Sequence, residues 1–570
     1  MKWIKRDNCN TIAEVVSRNT GLSIQDFLNP KKDPYISNLK EAAEFIRKAA
    51  QSGKNIHIVG DYDVDGDLSS SILKMGFTEA FGKEPSVRLP RRFSEGYGLK
   101  QKIVDEINDG IIVTVDNGIA ALEPIKSAKT KGLDVVIIDH HQPVKNENGE
   151  VLLPDADVIV DPHAIPGSEF CGYCGAGLAY RLIKELIPNS PMLVRYLVFA
   201  SIATVADVMD LVGDNRTLVK NGLACIRKRY TTLGLNTLLN LLDLTYIDEG
   251  DYGFKLGPII NASGRLYDDG PSDVVSLMTT HVMPEEDGYR EALFATAEKA
   301  QILIQRNEER KKLSKEAEKR ADKIIEENHL SNTKPLILYD PLTSEGIIGI
   351  VAGQLAEKYC TPALVFTDSE KEGVLKGSGR TYGTVDLKAT LDTAGDLFVG
   401  YGGHPGAAGM TIKKDNISTL QKRLAKTLEG VDFGVDPEVL YYDLEIEMKD
   451  IPNMIKELKL YAPYGQGNPA PIFKIKDFNC TPVGASFYRL MGDIGQHIKL
   501  FGKDVDAVGF DMAQRYHDAG DPQKLDIVGT LGRNFFNGTF RNQIEIIDYQ
   551  PIVPPATDFK QKLADMLVFC

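Results

Sequence analysis

Short runs of β-branched residues recur in the first third of the chain, and each is followed by an acidic residue. The runs are Ile56–Val59, Ile111–Val115, 135–138 and Val158–Val160. Their composition predicts strands that are buried on both faces, as in a parallel sheet. The carboxyl ends of parallel strands meet at one edge of the sheet, which is where ligands bind in open α/β folds. We therefore expect the acids that follow these runs to converge.

Carboxylates and imidazoles follow these runs in a pattern typical of a metal site. The residues concerned are Asp61, Asp63, Asp65, Asp116, Asp139, His140, His141 and Asp161. Carboxylates that lie close together repel one another and need a cation to stay ionised. Carboxylate and imidazole ligands suit Mn, Zn or Fe. The recurrence predicts a divalent metal site with more than one ion, whereas the triplet 139–141 alone would fit a turn with two surface histidines equally well.

A further acid, Asp207, interrupts the apolar segment 193–211. Burying a carboxylate is costly unless it is paired or bound to a metal. We interpret Asp207 as another metal ligand, and a satisfied buried acid is the alternative.

The remaining patterns predict helices, a second lobe and a β-rich C-terminal region. Residues 38–52 have helical spacing and should pack at the sheet edge, and residues 289–330 contain neither Gly nor Pro. The second stretch predicts a largely polar helix of about 40 residues, roughly 60 Å long, of the kind that bridges domains. A strand at Leu336–Tyr339 begins the second lobe. From about residue 440, short β runs predict a small barrel, and the final 20 residues predict a short helix.

Arginines and glycines supply candidate phosphate contacts. Three arginines precede Tyr97 in the stretch 87–98, which suits a phosphate and a base, although a solvated basic loop is the alternative. The segment 257–265 is interpreted as a turn-rich loop that carries Arg265.

Three glycine-rich elements lie in the second lobe, at 344–349, where a helix begins, at 377–380 and at 402–409. Glycines let backbone N–H groups approach a phosphate, and a helix start adds a favourable dipole. Arg380 and His404 would add charge and hydrogen bonds. We interpret this lobe as phosphate-binding.

Composition favours a cytoplasmic globular protein and leaves the substrate open. At 570 residues, with 43% hydrophobic and 26% charged residues, the chain should form about three or four domains. It has no apolar stretch of membrane-helix length, and its start lacks the apolar core of a signal peptide. Seven cysteines do not indicate a disulfide framework, and the lone C-x-x-C of Cys171 and Cys174 is a weak zinc or redox signal.

The net charge of −14 argues against a protein that binds nucleic acid by overall charge. A local groove of arginines remains compatible with a nucleic-acid enzyme. Basic and aromatic residues of the β-rich region could stack the bases of a single strand, or could form the core and rim of the barrel. They are Arg533, Phe535, Phe536, Phe540 and Arg541.

The order of the motifs resembles that of the DHH phosphoesterase superfamily. The motifs are DYDVDG, VTVDNG, IIDHH and ATVADVMDL, followed after the long helix by SEGIIGI, GSGR and GGHPGAAG. More narrowly, LPRRFSEGYGL, GPIINASGRL and YAPYGQGNPAPIF are similar to motifs of the RecJ-type single-stranded-DNA exonuclease family. The resemblance covers about residues 50 to 550.

The resemblance implies an α/β protein with two lobes, the DHH and DHHA1 domains, whose parallel or mixed sheets are joined by a long helix. A C-terminal OB-fold-like β-barrel completes it. The implied boundaries are an N-terminal extension (1–50), the DHH catalytic domain (51–215), a helical connector with the bridging helix (216–330), the DHHA1 phosphate-binding domain (331–435), the OB-fold domain (436–550) and a C-terminal tail (551–570).

The resemblance also implies a site with two Mn²⁺ or Mg²⁺ ions. The implied ligands are Asp63, Asp65, Asp116, His140 and Asp207, with Asp116 bridging the ions and with Asp61 and His141 beside them. Of these, Asp65, Asp116, His140 and His141 would be catalytic. The terminal phosphate would be held by Arg92, Ser378 and Arg380, and nearby sugar, phosphate or scissile groups would be contacted by Tyr97, Arg265, Ser344 and His404.

The implied activity is a metal-dependent 5′-to-3′ exonuclease that hydrolyses single-stranded DNA to mononucleotides in recombination and repair. The resemblance further implies a monomer, with a single-strand-binding protein and a RecQ-type helicase as partners. Two residues depart from the pattern, Asp67 where a small or hydroxyl residue is usual and Ile259 where a basic residue is common. The alternatives are a DHH-family oligonucleotide or cyclic-dinucleotide phosphodiesterase and, in a different class, a catalytically silent single-strand-binding replication scaffold.

Overall fold

The computed structural model describes residues 1–146, 148–536 and 538–552, except for the side chain of Phe536. The chain forms two compact units. The central unit comprises residues 31–209 and 214–436, and the terminal unit comprises residues 1–30, 210–213 and the chain from 437 onwards. The short helix predicted for the final 20 residues falls almost entirely on 553–570, outside the described residues. Within the described part of the chain, every helix is too short or too polar to cross a membrane.

The strands are, in chain order, β1 Lys2–Lys5, β2 Ile56–Val59, β3 Ser86–Arg88, β4 Ile111–Val115, β5 Asp134–Ile138, β6 Val144–Lys145, β7 Val151–Leu152, β8 Val158–Val160, β9 Leu336–Tyr339, β10 Ala363–Asp368, β11 Val374–Arg380, β12 Phe398–His404, β13 Ala407–Lys413, β14 Val439–Tyr442, β15 Leu444–Glu447, β16 Phe473–Asn479, β17 Tyr488–Met491, β18 His497–Leu500, β19 Val505–Gly509, β20 Lys524–Phe536 and β21 Thr539–Pro551.

The α-helices are α1 Ile12–Thr20, α2 Ile24–Leu28, α3 Leu39–Gln51, α4 Val64–Phe81, α5 Gln101–Glu106, α6 Leu122–Thr130, α7 Gly175–Leu186, α8 Leu193–Ala206, α9 Gly213–Arg227, α10 Leu233–Leu241, α11 Glu249–Asp251, α12 Gly257–Leu266, α13 Gly270–Met278, α14 Tyr289–Glu327, α15 Ile348–Tyr359, α16 Leu387–Asp392, α17 Ile417–Thr427, α18 Ile451–Tyr461 and α19 Ala513–Asp518. A π-helix, Tyr252–Leu256, leads into α12.

The first lobe of the central unit is built on a parallel sheet in the order β3-β2-β4-β5-β8. The four predicted strands are present, and nearly all of their side chains are buried. Helix α3 matches the predicted helix and packs against the edge strand β8 and against α7. Because these strands run the same way, their polar carboxyl-end residues lie at one edge of the sheet.

The segment 257–265, predicted as a turn-rich loop, is helix α12, so that prediction was wrong. Pro258 lies in the first turn of α12, shortly after the π-helix that leads into it. Gly264 is needed for close packing, because a Cβ there would lie 2.2 Å from the carbonyl oxygen of Tyr62. Gly264, which looks like a turn residue in the sequence, allows the helix to approach the loop between β2 and α4.

The predicted bridging helix is α14, and its 39 residues join the two lobes of the central unit. Its first half packs on α10 and α12. In its second half, Ala317, Ala321 and Ile325 are buried in the core of the second lobe. That core lies beneath a mixed sheet in the order β12-β13-β11-β10-β9, in which only β9 and β10 are parallel.

The glycine-rich elements of the second lobe take different structures. The element 344–349 leads into α15, as predicted. The element 377–380 lies inside strand β11, and the element 402–409 covers the end of β12, a tight turn and the start of β13. The glycines of these two elements therefore lie in strands or in the turn between them rather than at a helix start, and Gly377 and Gly379 are buried.

The terminal unit contains a seven-stranded sheet in the order β15-β16-β20-β21-β19-β18-β17. Its core includes Phe473, Phe478 and Ile527, together with Val16 and Phe27 from the first thirty residues. Strand β1 pairs in parallel with β14, so both ends of the sequence contribute to this unit.

A buried carboxylate fixes β1 to the rest of the terminal unit. Asp548 is 1% exposed and accepts a hydrogen bond of 2.7 Å from the indole Nε1 of Trp3. Its other oxygen forms an ion pair of 2.6 Å with Arg515. Trp3 is the single tryptophan of the chain, so its fluorescence reports on this unit.

We predict that Asp548→Ala lowers the free energy of unfolding of the terminal unit by about 1–3 kcal/mol, because the partly buried indole N–H of Trp3 loses its acceptor. Urea titration followed by Trp3 fluorescence measures the change. The exposed Asp504→Ala is the matched control and should change the same quantity by less than about 0.5 kcal/mol. Equal midpoints for the two variants would contradict a stabilising role for Asp548.

Candidate active site

The acids of the first lobe are held at the sheet edge by backbone groups. Asp63 caps helix α4, and its Oδ1 accepts from the N–H groups of Asp65 and Gly66, each at 3.1 Å. The carboxylate of Asp65 accepts from two N–H groups at the start of α7, those of Gly175 at 2.6 Å and Ala176 at 2.8 Å. A helix start is a favourable position for a carboxylate. These contacts leave little freedom in the position of either acid.

Asp116 follows β4 in a left-handed backbone conformation, with φ of 60°. Such a conformation is uncommon for a residue other than glycine and is found preferentially at functional sites. The hydroxyl of Tyr97 donates to the carbonyl oxygen of Asp116 at 3.0 Å. The side-chain amide of Asn117 donates to the carbonyls of Val59 and Val115. The turn therefore fixes Asp116 against two neighbouring strands.

Asp139, the first residue of the DHH triplet, orients the other two. Its Oδ1 accepts from the N–H of His140 at 2.8 Å and from Nδ1 of His141 at 2.7 Å. Its Oδ2 accepts from the N–H of Ile119 at 2.9 Å. Both oxygens are thus engaged, and Asp139 belongs to none of the candidate metal groups found among the described residues. The sequence suggested that all three residues of the triplet could bind a metal. In the structure, Asp139 instead holds the two histidines in position.

The two histidines of the triplet carry different charges. Although burial opposes it, the hydrogen bond to Asp139 raises the pKa of His141 to about 9. Despite burial, the same hydrogen bond keeps the pKa of Asp139 below its usual value. Burial, together with the charge of His141, lowers the pKa of His140. At neutral pH His140 is a neutral imidazole, the form that binds metals, and His141 is a cation.

Among the described residues, three overlapping groups of ligand atoms, each within 4.8 Å, could hold metal ions. They are Asp65 with His140 and Asp207, Asp61 with Asp63 and Asp116, and Asp116 with His140 and His141. Nε2 of His140 lies 3.1 Å from Asp116 Oδ1, 3.7 Å from Asp65 Oδ2 and 3.9 Å from Asp207 Oδ2. Asp116 and His140 each belong to two groups, so the groups form one continuous cluster.

The electrostatics of the cluster fit divalent cations. Burial, reinforced by the charge of Asp63, raises the pKa of Asp61, and burial with the charge of Asp65 raises those of Asp116 and Asp207. Oδ1 of Asp61 is buried and has no hydrogen-bond partner. Buried acids that destabilise one another are relieved by a bound cation. Oxygen and imidazole donors of this kind suit Mn²⁺, and the carboxylates also suit Mg²⁺.

The two departures from the family pattern are both buried. Asp67 is fully buried in α4, and neither of its carboxylate oxygens has a hydrogen-bond partner. Burial and the charge of Asp63 raise its pKa. Ile259, a residue of α12, is 4% exposed, so its buried side chain is not available to a ligand.

A cluster of arginines lies beside the acids, between the two lobes. The guanidinium of Arg92 stacks on the ring of Tyr62 at 3.9 Å, and its Nε donates to the carbonyl of Gly264 at 2.9 Å. Tyr62 is the residue between two of the clustered acids. Nη1 of Arg380 donates to Ser378 Oγ at 3.2 Å. Arg92 is therefore held by its Nε and its flat face, which leaves its two terminal nitrogens for a ligand.

Arg265 joins this cluster from α12. Its Nη1 donates to the carbonyl of Gly346 at 3.3 Å. Burial, with the charges of Arg92 and Arg380, lowers the pKa of Arg265 to about 10. Arginines that repel one another in a buried position are relieved by an anion, and guanidinium groups match phosphate geometry.

The structure brings the remaining candidate residues to the cluster unequally. Tyr97 Oη lies 3.2 Å from Nδ1 of His141, at the edge of the metal cluster. Ala407 of β13 lies opposite His404 on one side and opposite Arg380 on the other. His404 and Arg380 therefore lie on the same face of the sheet. The exposed side chain of Ser344 makes no hydrogen bond to the arginine cluster in the described part of the chain.

The aromatic and basic residues of the terminal unit lie on the hairpin β20–β21. The guanidinium of Arg533 stacks on Phe540 at 4.5 Å, and Phe535 packs on the same ring at 4.8 Å. Arg541 forms an ion pair of 2.7 Å with Asp506. The side chain of Phe536 is outside the described part of the structure.

Two residues that support the arginine cluster were not predicted from the sequence. Tyr62 is the platform for Arg92, and Glu95 anchors the loop that carries it. The 2%-exposed carboxylate of Glu95 binds Arg88 at 2.7 Å and the N–H of Arg91 at 3.0 Å. Although burial opposes it, the hydrogen bond from Arg88 lowers the pKa of Glu95 to about 2. The sequence offered one indication for Glu95, an acid three residues after a pair of arginines. It offered no indication that Tyr62 supports Arg92.

Three protein-family models match the chain. The DHH family N-terminal domain matches residues 55–205, the DHHA1 domain matches residues 332–430, and the RecJ OB domain matches residues 442–548.

Similar proteins cover nearly the whole chain. The single-stranded-DNA-specific exonuclease RecJ of Bacillus subtilis is 32% identical over 551 residues, which cover 93% of this chain and 66% of that protein. The protein of the same name from Salmonella typhimurium is 29% identical over 560 residues, with 91% of both chains covered. The crystal structure of RecJ in complex with Mn²⁺ from Thermus thermophilus matches with a TM-score of 0.75 and 26% identity, over 95% of this chain and 76% of that chain.

We predict that Asp116→Asn stabilises the metal-free protein. Folding raises the pKa of Asp116, so ionising this acid costs the folded state stability as the pH rises above the ordinary value of about 4. The gain from the substitution should therefore grow from about pH 4 towards neutral pH. The gain at the upper end should be about 1 kcal/mol or more. Calorimetry of the protein in EDTA measures it.

The same variant should lose most of the stabilisation that Mn²⁺ gives to the unaltered protein. The exposed Asp155→Asn is the matched control and should change neither quantity. A metal-free Asp116→Asn protein that melts at a lower temperature across this pH range would argue against repulsion within the cluster.

Proposed function

Because this chain belongs to the RecJ family of DHH proteins, we propose that it is a metal-dependent exonuclease. It hydrolyses single-stranded DNA from the 5′ end to mononucleotides, in recombination and repair. The observation that carries the proposal is the cluster of buried acids and histidines beside an arginine cluster of the same unit. Such a pair of clusters can hold cations and a phosphorylated strand together.

The metal centre divides between two sets of ligands. Asp65, His140 and Asp207 would hold one ion, and Asp61 and Asp63 would hold the other, with Asp116 shared. Two Mn²⁺ or Mg²⁺ ions, when bound, supply Lewis acidity for an in-line displacement at phosphorus. The helix starts that fix Asp63 and Asp65 keep these ligands in place without the substrate.

His141 is the proposed proton donor of the reaction. Its Nδ1 is committed to Asp139 at 2.7 Å, so its second nitrogen carries the proton that can be given away. Its pKa of about 9 keeps that proton in place at neutral pH. The acceptor would be the 3′ oxygen of the departing nucleotide, which needs a proton once its bond to phosphorus breaks.

The arginine cluster would hold the terminal 5′ phosphate. Arg92, Arg380 and Ser378 supply donors in a fixed geometry, and Arg265 adds charge. Tyr97 and His404 would contact nearby sugar or phosphate, as would Ser344 if its loop approaches the strand. Holding the 5′ phosphate fixes which internucleotide bond reaches the metal centre.

The rest of the chain has proposed roles by family analogy. Residues 51–215 form the catalytic domain, 216–330 the connector, 331–435 the phosphate-binding domain and 436–550 the nucleic-acid-binding domain. A cytoplasmic monomer, with a single-strand-binding protein and a RecQ-type helicase as partners, completes the proposal. Its alternatives are a DHH-family phosphodiesterase of short oligonucleotides or cyclic dinucleotides, and a silent binding scaffold.

The direct test is digestion of a 5′-phosphorylated single strand labelled at its 3′ end, with Mn²⁺ or Mg²⁺, beside an EDTA control and a dinucleotide substrate. We expect progressive shortening of the labelled strand that EDTA stops. Cleavage of the dinucleotide alone would favour the oligonucleotide branch. Binding of the strand without cleavage would favour the scaffold.

We predict that Arg380→Gln raises KM for the 5′-phosphorylated strand roughly ten- to a hundredfold, because a charge-assisted hydrogen bond to the phosphate is lost. The KM for a strand with a 5′ hydroxyl should change little. Steady-state digestion of both strands measures the difference. Arg423→Gln, which removes an arginine paired with Asp396 elsewhere in the same lobe, is the matched control. An equal rise in KM for both strands would rule out recognition of the 5′ phosphate by Arg380.

A further inference from the structure

A cavity of about 550 Å³ opens between the arginine-bearing loop of the first lobe and the sheet of the second lobe. Its lining includes Phe93 and Glu345, the turn 369–373 that joins β10 to β11, and residues of three neighbouring strands. The strand residues are Val374 and Lys376 of β11, Thr411 and Lys413 of β13, and Val399 of β12. Ligand sites of this size are common in proteins, and none of the roles given above uses this one.

The charges around the cavity are balanced. Three lysines, Lys371, Lys376 and Lys413, are offset by three glutamates, Glu345, Glu370 and Glu372. The closest such pair is Lys376 Nζ and Glu345 Oε1, at 3.8 Å. A balanced lining gives no net attraction to a phosphate, in contrast to the neighbouring arginine cluster. It favours a group that is itself uncharged.

The walls of the cavity suit a flat ring. Phe93 is held in position because its N–H donates to Asp268 Oδ1 at 2.9 Å, and the next residue, Ser94, donates to the same carboxylate. A β-bulge between Phe398 and Gly400 lies at Val399, whose side chain is 62% exposed. Aromatic side chains are the usual platforms for nucleobases.

The cavity begins one row of side chains away from the proposed phosphate site. Lys376 and Ser378 lie on the same face of β11, two residues apart, a distance of about 7 Å along a strand. Phe93 follows Arg92 directly in the chain. A nucleotide whose 5′ phosphate is bound at Ser378 therefore has its base within reach of the cavity.

Three glycines leave much of the sheet surface between the two places open. Gly409 is opposite Ser378 and Gly402, and Thr411 is opposite Lys376 and Gly400. A Cβ added to any of these three glycines would meet no protein atom within 4 Å, and none of them has a positive φ. Glycine weakens a strand, so neither packing nor conformation explains their presence. Close approach of a ligand explains it.

We propose that this cavity and the glycine surface beside it form a seat for the nucleobase of the 5′-terminal nucleotide. The base lies along the glycine surface and packs against Phe93, while the arginine cluster holds its 5′ phosphate. This inference rests on the proposed function, because it takes the terminal phosphate to be at Arg380. It adds a second contact to the same nucleotide, made to an uncharged group.

The test compares two 5′-phosphorylated strands that differ only in whether the terminal nucleotide carries a base or is abasic. Binding is measured in EDTA by fluorescence anisotropy of a 3′ label. We expect the unaltered protein to bind the abasic strand roughly tenfold more weakly, the effect of losing one stacked base. Equal affinities would overturn the proposal.

Two variants locate the effect in the cavity. Phe93→Ala removes the aromatic wall, and Gly400→Val places a side chain on the open surface without a clash inside the protein. Each should bind the normal strand as weakly as the abasic one and leave the abasic affinity unchanged. Phe294→Ala removes an exposed aromatic of α14 and is the matched control.

Retained discrimination in both variants would show that the base is held elsewhere. The melting temperature of Gly400→Val should be unchanged or higher, since a strand gains from a β-branched residue. Loss of binding together with a lower melting temperature in both variants would indicate a structural role and overturn the proposal. A protein that neither binds nor digests either strand would instead contradict the proposed function.

Discussion

Mutual repulsion among buried carboxylates is the constraint on which the rest of the central unit depends. Asp61, Asp116 and Asp207 are drawn to one sheet edge by parallel strands and a following helix, and burial with neighbouring charges raises the pKa of each. Such an arrangement is unfavourable in the isolated chain and becomes favourable with bound cations. The fold keeps it by fixing Asp63 and Asp65 on helix starts, where backbone N–H groups offset part of the cost.

The opposite problem arises a short distance away, among the arginines. Burial, together with the charges of Arg92 and Arg380, lowers the pKa of Arg265 to about 10. Tyr62 connects the two clusters, since it lies between two acids and carries the guanidinium of Arg92 on its ring. Charges of one sign predominate in each cluster, so a phosphorylated strand with divalent cations would neutralise both. In the proposed function, the chemistry and the binding of substrate are in this way two parts of one charge arrangement.

Local sequence patterns predicted much of this arrangement because they act over a few residues. A β-branched run followed by an acid indicates both a strand and the position of the acid, which is how Asp65, Asp116 and His140 were predicted as site residues. The prediction of a turn-rich loop at α12 was wrong because Gly264 is required by its close packing on Tyr62, which lies far earlier in the chain, and not by a turn. Asp139 was likewise considered as a metal ligand, whereas its hydrogen bonds show that it orients the two histidines. The sequence alone does not distinguish these two roles.

The sequence by itself determined the family, the parallel sheet with its acidic edge, the bridging helix and the residue types of both clusters, because each is written in spacing and order along the chain. Only the tertiary structure decided which acids share a group, which oxygen of Asp139 faces which donor, and that Phe93 faces the second lobe. It also decided that the first thirty residues pack with the C-terminal sheet. These features depend on contacts between residues that are far apart in the chain. Such contacts produce no local pattern in the sequence around either residue.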